Sequence, residues 1–143
     1  MADEVKSVFE QIKTNRTYRY VIYYIKDKSE VVVESKGDRE KTYEDFFEEI
    51  RELSGESECR YGVIDLEYKH QTQGTSEASL KQKLILFRWS PDTANIKQKM
   101  LYASSSEALK KALVGIAKYV QATDTSEGSY ENVLDQVRAL DRN

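Results

Sequence analysis

The feature that most constrains the fold is a nearly continuous run of aromatic and β-branched residues from Tyr18 to Ile25. Such a run is typical of a β-strand that is covered on both faces, in the middle of a sheet. A strand of that kind needs helices on both sides. The sequence therefore predicts an α/β fold, in which a central mixed β-sheet is sandwiched by helices.

Apolar residues at helical spacing predict four helices. The first two cover residues 3–13 and about 43–53, and the last contains Tyr130 to Val137. The start of the third, long helix is predicted at Ser90-Pro91-Asp92, which offers an N-cap, a first-turn proline and an acid at the positive end of the helix dipole. The serines at 104–106 predict a kink or a brief break in that helix.

Further strands are predicted at residues 31–33, 61–68, 84–89 and 119–122. The polar segment 71–79 is predicted to be a loop, which makes the strands on either side of it a projecting hairpin. Asp65 and Glu67 alternate with apolar residues, so we interpret them as solvent-facing.

The composition of the 143 residues favours one domain, residues 1–143, and limits its partners. A formal net charge of -3 argues against nucleic acid as a partner. The charge is nevertheless separated, because residues 81–118 carry +6 and the remainder carries -9. Separated charge is suited to orienting a protein partner.

Two residue types that often carry chemistry occur once each, as Cys59 and His70. One cysteine and one histidine cannot form a Cys/His zinc cluster, and they lack the third partner of a catalytic triad. There is also no Gly-x-x-x-x-Gly-Lys phosphate loop. We therefore predict no metal, no cofactor and no enzyme activity. Cytoplasm is the expected compartment, since no apolar run suits a signal peptide or a membrane span.

Several motifs spread along the chain resemble one protein family. They are Trp89-Ser90-Pro91-Asp92-Thr93-Ala94, Lys97-Gln98-Lys99-Met100-Leu101-Tyr102-Ala103-Ser104-Ser105, Ala108-Leu109-Lys110-Lys111-Ala112-Leu113, Glu58-Cys59-Arg60-Tyr61-Gly62, Asp65-Leu66-Glu67-Tyr68 and Gln121-Ala122-Thr123-Asp124. The chain resembles the actin-depolymerising factor/cofilin family over almost its whole length. The resemblance implies a single ADF-homology fold and a monomer that binds monomeric and filamentous actin.

The resemblance also implies two sets of actin-binding residues. In the family the long helix inserts into a groove of actin, and a second surface contacts only the filament. The long helix would supply Lys97, Lys99, Met100, Ser105, Leu109, Lys110 and Lys111. The hairpin and last helix would supply Lys81, Lys83, Asp135 and Arg138. Occupying two neighbouring subunits would overtwist the filament and promote severing and depolymerisation.

The beginning of the chain departs from the family pattern. A short flexible segment with a phosphorylatable serine usually precedes the first helix, whereas here the first serine, Ser7, lies inside the predicted helix. We expect regulation through an N-terminal serine to be absent. We also hypothesise that this chain binds filaments more robustly than it disassembles them.

Two alternatives remain open. Clustered lysines also attract anionic lipid, so phosphoinositide headgroups are a second partner class and a purely lipid-binding domain is the main rival. A filament binder like coactosin, with weak severing, would have the same fold. Met100 tests the actin interpretation directly, since a methionine at helical spacing is more often in a core than in a contact surface.

Overall fold

The computed structural model describes residues 1–71 and 78–141, and these form four helices and five strands. The helices are α1 (Asp3–Lys13), α2 (Tyr43–Ser54), α3 (Ile96–Ala112) and α4 (Tyr130–Ala139). The strands are β1 (Tyr18–Lys26), β2 (Glu30–Asp38), β3 (Arg60–Gln71), β4 (Ala78–Trp89) and β5 (Lys118–Ala122).

The strands form one sheet in the order β2-β1-β3-β4-β5. The pairs β1 with β2, β1 with β3 and β3 with β4 are antiparallel, and β4 with β5 is parallel. The sheet is therefore mixed, as the sequence predicts. The parallel pairing follows from the connection, because α3 crosses one face of the sheet between β4 and β5.

Helices cover both faces of the sheet. On one face α1 and α3 pack over Val21, Tyr23 and neighbouring strand residues. On the other face α2 and α4 pack over Tyr20, Ile22 and their neighbours. The side chains of β1 are thus buried on both sides, which confirms the interpretation of the Tyr18–Ile25 run and the predicted α/β sandwich. None of the helices in the described ranges has the length and apolar character that crossing a bilayer requires.

The first two helices begin where local signals predict. The bounds of α1 match the prediction, and Val5, Val8, Phe9 and Ile12 are buried. At the start of α2 the side chain of Thr42 accepts the Asp45 N–H, while the Asp45 side chain accepts the Thr42 N–H. This reciprocal capping box satisfies two N–H groups that the first turn would otherwise leave without partners.

The predicted start and interruption of α3 are wrong. The helix begins at Ile96, with Asn95 as its N-cap, and continues unbroken to Ala112. Ser90 instead lies just beyond β4, where its N–H donates to the Ala122 carbonyl at 2.9 Å. The serine hydroxyls do not break the helix, because Ser104 and Ser106 donate to carbonyls three residues earlier.

The strands run further than their apolar cores predict. β2 continues to Asp38 instead of ending in a loop at Gly37. Gly37 is needed there because the Tyr20 ring occupies the space that a Cβ would fill. The predicted loop at 71–79 overlaps both neighbouring strands, since β3 reaches Gln71 and β4 starts at Ala78. Residues 72–77, including Gly74, lie outside the described residues.

The interpretation of Asp65 as solvent-facing is also wrong. Its side chain is only 6% exposed and accepts the guanidinium of Arg39 at 3.0 Å. Glu67, on the same face of β3, is partly exposed and accepts Arg19 and Arg39 at 2.7 and 2.8 Å. The hydrogen bond from Arg19 holds the pKa of Glu67 below its usual range. These carboxylates join β1, β3 and the loop after β2, so their role is structural.

Candidate functional site

Helix α3 presents two opposite faces with different environments. Met100 and Leu109 are nine residues apart, which is two and a half turns of a helix with 3.6 residues per turn, so they point in opposite directions. Leu109 is 0% exposed and lies in the core with Tyr102, whereas Met100 is 65% exposed. Met100 therefore points outward, as the actin interpretation requires.

Three hydrogen bonds hold α3 against the sheet. The backbone N–H of Ile25 donates to the Tyr102 hydroxyl at 2.9 Å. The hydroxyl of Tyr61 donates to the Tyr102 carbonyl. Nearer the start of α3, the N–H of Cys59 donates to the Gln98 side chain at 3.1 Å. These bonds, together with buried Leu109, determine which face of α3 is left for a partner.

The outward face carries an exposed apolar pair, Ile96 and Met100, one helical turn apart. Ile96 is 71% exposed, and both side chains line a surface groove of about 670 Å³. Lys28, in the turn between β1 and β2, and Leu101 also line this groove. Apolar side chains exposed on a rigid helix are suited to burial in a partner rather than in this chain's own core.

The predicted lysines lie at both ends of α3, with Lys97 and Lys99 beside the apolar pair and Lys110 and Lys111 in the last turn. Lys97 and Lys111 are exposed, and Lys99 is half-buried with its ammonium donating to the Asp92 carbonyl at 3.0 Å. Lys110 is half-buried, pairs with Glu107 at 3.0 Å and lies 4.2 Å from the centroid of the Tyr119 ring. Ser105 is half-buried. The predicted residues of α3 other than Leu109 thus keep some accessible surface.

The assignment of Leu109 to the actin-contacting set is corrected by its burial. Leu109 packs in the core on the inner face of α3 and has no accessible surface. Ile96, which was not among the residues predicted from the sequence, is exposed on the outward face. The i, i+4 spacing of Ile96 and Met100 is the signal that could have identified it.

The second predicted set lies at the hairpin and α4. Lys81 and Lys83 are two residues apart on β4 and point to the same face of the sheet, toward the end of α4. Asp135 and Arg138 are exposed on α4, and Arg138 donates to the Lys69 carbonyl on β3 at 3.3 Å. The hairpin and α4 are thus in direct contact.

Asp141, just beyond α4, joins the two lysines of this second set to Tyr68 on β3, and no local sequence signal identifies it. Its carboxylate accepts the Tyr68 hydroxyl at 2.6 Å and the Lys81 ammonium at 3.1 Å, with Lys83 at 3.8 Å. His70 Nδ1 lies 3.8 Å from the same carboxylate. The Tyr68 hydrogen bond, with help from Lys81, holds the pKa of Asp141 below its usual range.

Cys59, one of the two residues considered for chemistry, does not lie on either of these surfaces. Cys59 is fully buried with its thiol 3.5 Å from the Ser90 hydroxyl, and burial raises the pKa of that thiol. A buried, protonated thiol is a poor nucleophile. Across residues 1–71 and 78–141, no three His, Cys, Asp or Glu side chains are grouped to hold a metal ion.

Comparison with known proteins identifies the family to which the chain is similar. Residues 1–138 match the family model described as cofilin/tropomyosin-type actin-binding protein. The chain is 39% identical over 137 residues to cofilin of Mycosarcoma maydis, covering 96% of this chain and 92% of that protein. It is 39% identical over 138 residues to actin-depolymerizing factor 10 of Arabidopsis thaliana, with the same coverage.

The fold is also that of a known cofilin. The crystal structure of Streptomyces griseoflavus cofilin superimposes with a TM-score of 0.82 at 37% identity, covering 96% of both chains. This similarity confirms the predicted ADF-homology fold. Proteins of the matched family bind actin and are not enzymes, which agrees with the sequence-based predictions. The chain therefore belongs to the cofilin/tropomyosin-type actin-binding protein family.

Proposed function

We propose that this chain binds monomeric and filamentous actin through the outward face of α3. The observation that carries the proposal is the exposure of Met100 and Ile96 on a helix that is tied to the sheet through Tyr102. We call this face, with Ile96, Lys97, Lys99, Met100, Lys110 and Lys111, and with the half-buried Ser105 on its flank, the α3 ridge.

The chemistry of the α3 ridge is that of a protein-binding surface. An apolar centre that is desolvated on binding supplies most of the affinity of such surfaces. Charged residues around the centre mainly steer the partner and set its orientation. Lys97 and Lys111 are exposed enough to act in this way, so an acidic groove on actin is the complementary surface.

Filament binding adds the second surface, which consists of Lys81, Lys83, Asp135 and Arg138. We propose that it contacts a neighbouring actin subunit while the α3 ridge occupies the first, and that this promotes severing and depolymerisation. The name of the Arabidopsis relative, an actin-depolymerizing factor, supports this direction of activity. The chain would act as a monomer in the cytoplasm, on the actin cytoskeleton. Its lysines would also attract phosphoinositide headgroups.

Filament co-sedimentation of a charge-reversal pair tests the α3 ridge. Lys97→Glu with Lys99→Glu should abolish binding to filaments and monomers, because the ridge would then repel an acidic surface. Lys36→Glu with Lys41→Glu changes the net charge equally at exposed lysines of neither surface, and should bind nearly as the unmodified chain does. Equal binding by both pairs would contradict the proposal.

Single-filament imaging tests the disassembly step. Filaments with the bound chain should break along their length and shorten. Decorated filaments that stay intact would instead assign the chain to the filament binders that sever weakly. Vesicles containing phosphoinositide should compete with actin for the α3 ridge. Vesicle binding without any filament co-sedimentation would favour a purely lipid-directed protein.

A further inference from the structure

Four side chains surround the carboxylate of Asp141 at the junction of the hairpin and α4. The Tyr68 hydroxyl and the Lys81 ammonium donate to its two different oxygens, at 2.6 and 3.1 Å. Lys83 lies 3.8 Å from the oxygen that binds Lys81, and His70 lies 3.8 Å from the one that binds Tyr68. The carboxylate therefore connects the end of α4 to β3 and β4.

The carboxylate lies beneath the lysines. The Asp141 side chain is 4% exposed, whereas the Lys81 and Lys83 side chains are 37% and 29% exposed. An ionised carboxylate with so little water contact needs donors from the protein, and Tyr68 and Lys81 provide them. Lys83 adds a positive charge 3.8 Å away. The low pKa of Asp141 keeps it ionised at neutral pH.

This arrangement leaves the lysines able to bind a second anion. An ammonium group has three N–H donors, and contact with Asp141 uses only part of this capacity. Two lysines on one strand face would otherwise repel each other and sample many rotamers. Sharing one carboxylate oxygen brings their ammonium groups together while their outer surfaces stay accessible.

We propose that Asp141 is a positioning residue, which holds Lys81 and Lys83 together as a paired cationic site for an acidic side chain on the filament. The inference rests on the proposed function, because it takes the second surface to be the one that contacts a neighbouring actin subunit. It adds that the site is ordered before binding, so that less side-chain entropy is lost when the filament is engaged.

Asp141→Asn distinguishes positioning of the lysines from an effect of the net charge of the surface. The substitution makes the surface more positive, so a surface that acts only through its net charge would bind filaments more tightly. If Asp141 positions Lys81 and Lys83, its loss should instead weaken filament binding on the order of tenfold, since the two lysines must then be ordered on binding. The affinity for monomeric actin, which uses the α3 ridge, should not change.

Removing the two lysines tests whether Asp141 acts through them or only stabilises the fold. In a Lys81→Gln with Lys83→Gln background, Asp141→Asn should weaken filament binding no further, because residues that act as a unit are not additive. Tyr68→Phe, which removes one donor and no charge, should give a smaller loss than Asp141→Asn. Filament co-sedimentation and monomer titration are measured for each variant.

Several outcomes would overturn the inference. Filament binding by Asp141→Asn that is unchanged or tighter would do so, and so would a full additional loss in the background without the two lysines. An equal loss of monomer binding would assign Asp141 to overall folding instead. Failure of the unmodified chain to bind filaments would overturn the proposed function as well, which distinguishes the two results.

Discussion

The hydroxyl of Tyr102 accepts the backbone N–H of Ile25 at 2.9 Å, beneath the middle of α3. Strand β1 pairs with β3 from Tyr20 to Tyr23. Beyond that point the Ile25 N–H donates to the Tyr102 hydroxyl of α3 instead of to β3. This bond joins α3 directly to the strand between β2 and β3. It therefore helps to determine that Met100, on the opposite side of the helix, faces outward.

Tyr102→Phe should destabilise the chain by about 1–3 kcal/mol, because the buried Ile25 N–H would lose its acceptor while the ring packing against Tyr61 is kept. The free energy of unfolding in urea measures the effect. Tyr24→Phe, at a half-buried position of the same strand, is the control and should change that free energy by less than about 0.5 kcal/mol. Equal effects of the two substitutions would contradict the assigned role of Tyr102.

The chain should lose stability at alkaline pH. Burial raises the pKa of Tyr102 to about 12, and it also raises the pKa values of Tyr23, Tyr43 and Tyr61. Because tyrosine in the unfolded chain ionises near pH 10, this stabilisation is fully present below about pH 10 and is lost as the pH rises through the folded-state pKa. Tyr102 alone accounts for about 2–3 kcal/mol of this loss.

Urea unfolding between about pH 8 and pH 12 checks this expectation. Stability should be nearly level up to about pH 10 and should then fall steeply. The fall should be shallower for Tyr102→Phe, which has one fewer buried phenol to ionise. A stability that stays constant up to about pH 12 would show that these phenols ionise as readily in the folded chain as in the unfolded one.

Met100→Ala should weaken actin binding by about 1–2 kcal/mol without changing stability, since the side chain is exposed in the free chain and would be desolvated only in the complex. Titration of labelled actin monomers measures the affinity. Val114→Ala is a matched control, because Val114 is 69% exposed but lies beyond the end of α3 and outside the α3 ridge. A similar loss for both substitutions would argue against a specific apolar contact at Met100.

Asp65→Asn should destabilise the chain by about 1–3 kcal/mol, because the substitution removes the charge that pairs with Arg39 in a largely buried position. The urea midpoint should fall, while actin binding by the folded variant should be unaffected. Glu30→Gln, at an exposed position of β2, is the control and should have little effect on the midpoint. If Asp65→Asn behaved like this control, the carboxylate would be solvent-facing after all.

The elements that have local signals can be predicted from the order of the amino acids alone. Four buried residues at helical spacing predict the bounds of α1, and the capping residues Thr42 and Asp45 predict the start of α2. The run from Tyr18 to Ile25 predicts a strand buried on both faces, because a continuous apolar run leaves no side for water. These signals act over a few residues, so they can be recognised without knowing what packs against them.

Long-range packing determines which apolar residues of α3 are available to a partner and which charges are paired. Helical geometry places Met100 and Leu109 on opposite faces, but the packing of Tyr102 and Leu109 against the sheet determines which face is buried. Similarly, Asp141 meets Lys81 across 60 residues of sequence. Such contacts form because elements that are distant in sequence come together in the folded chain. A local sequence pattern cannot predict them.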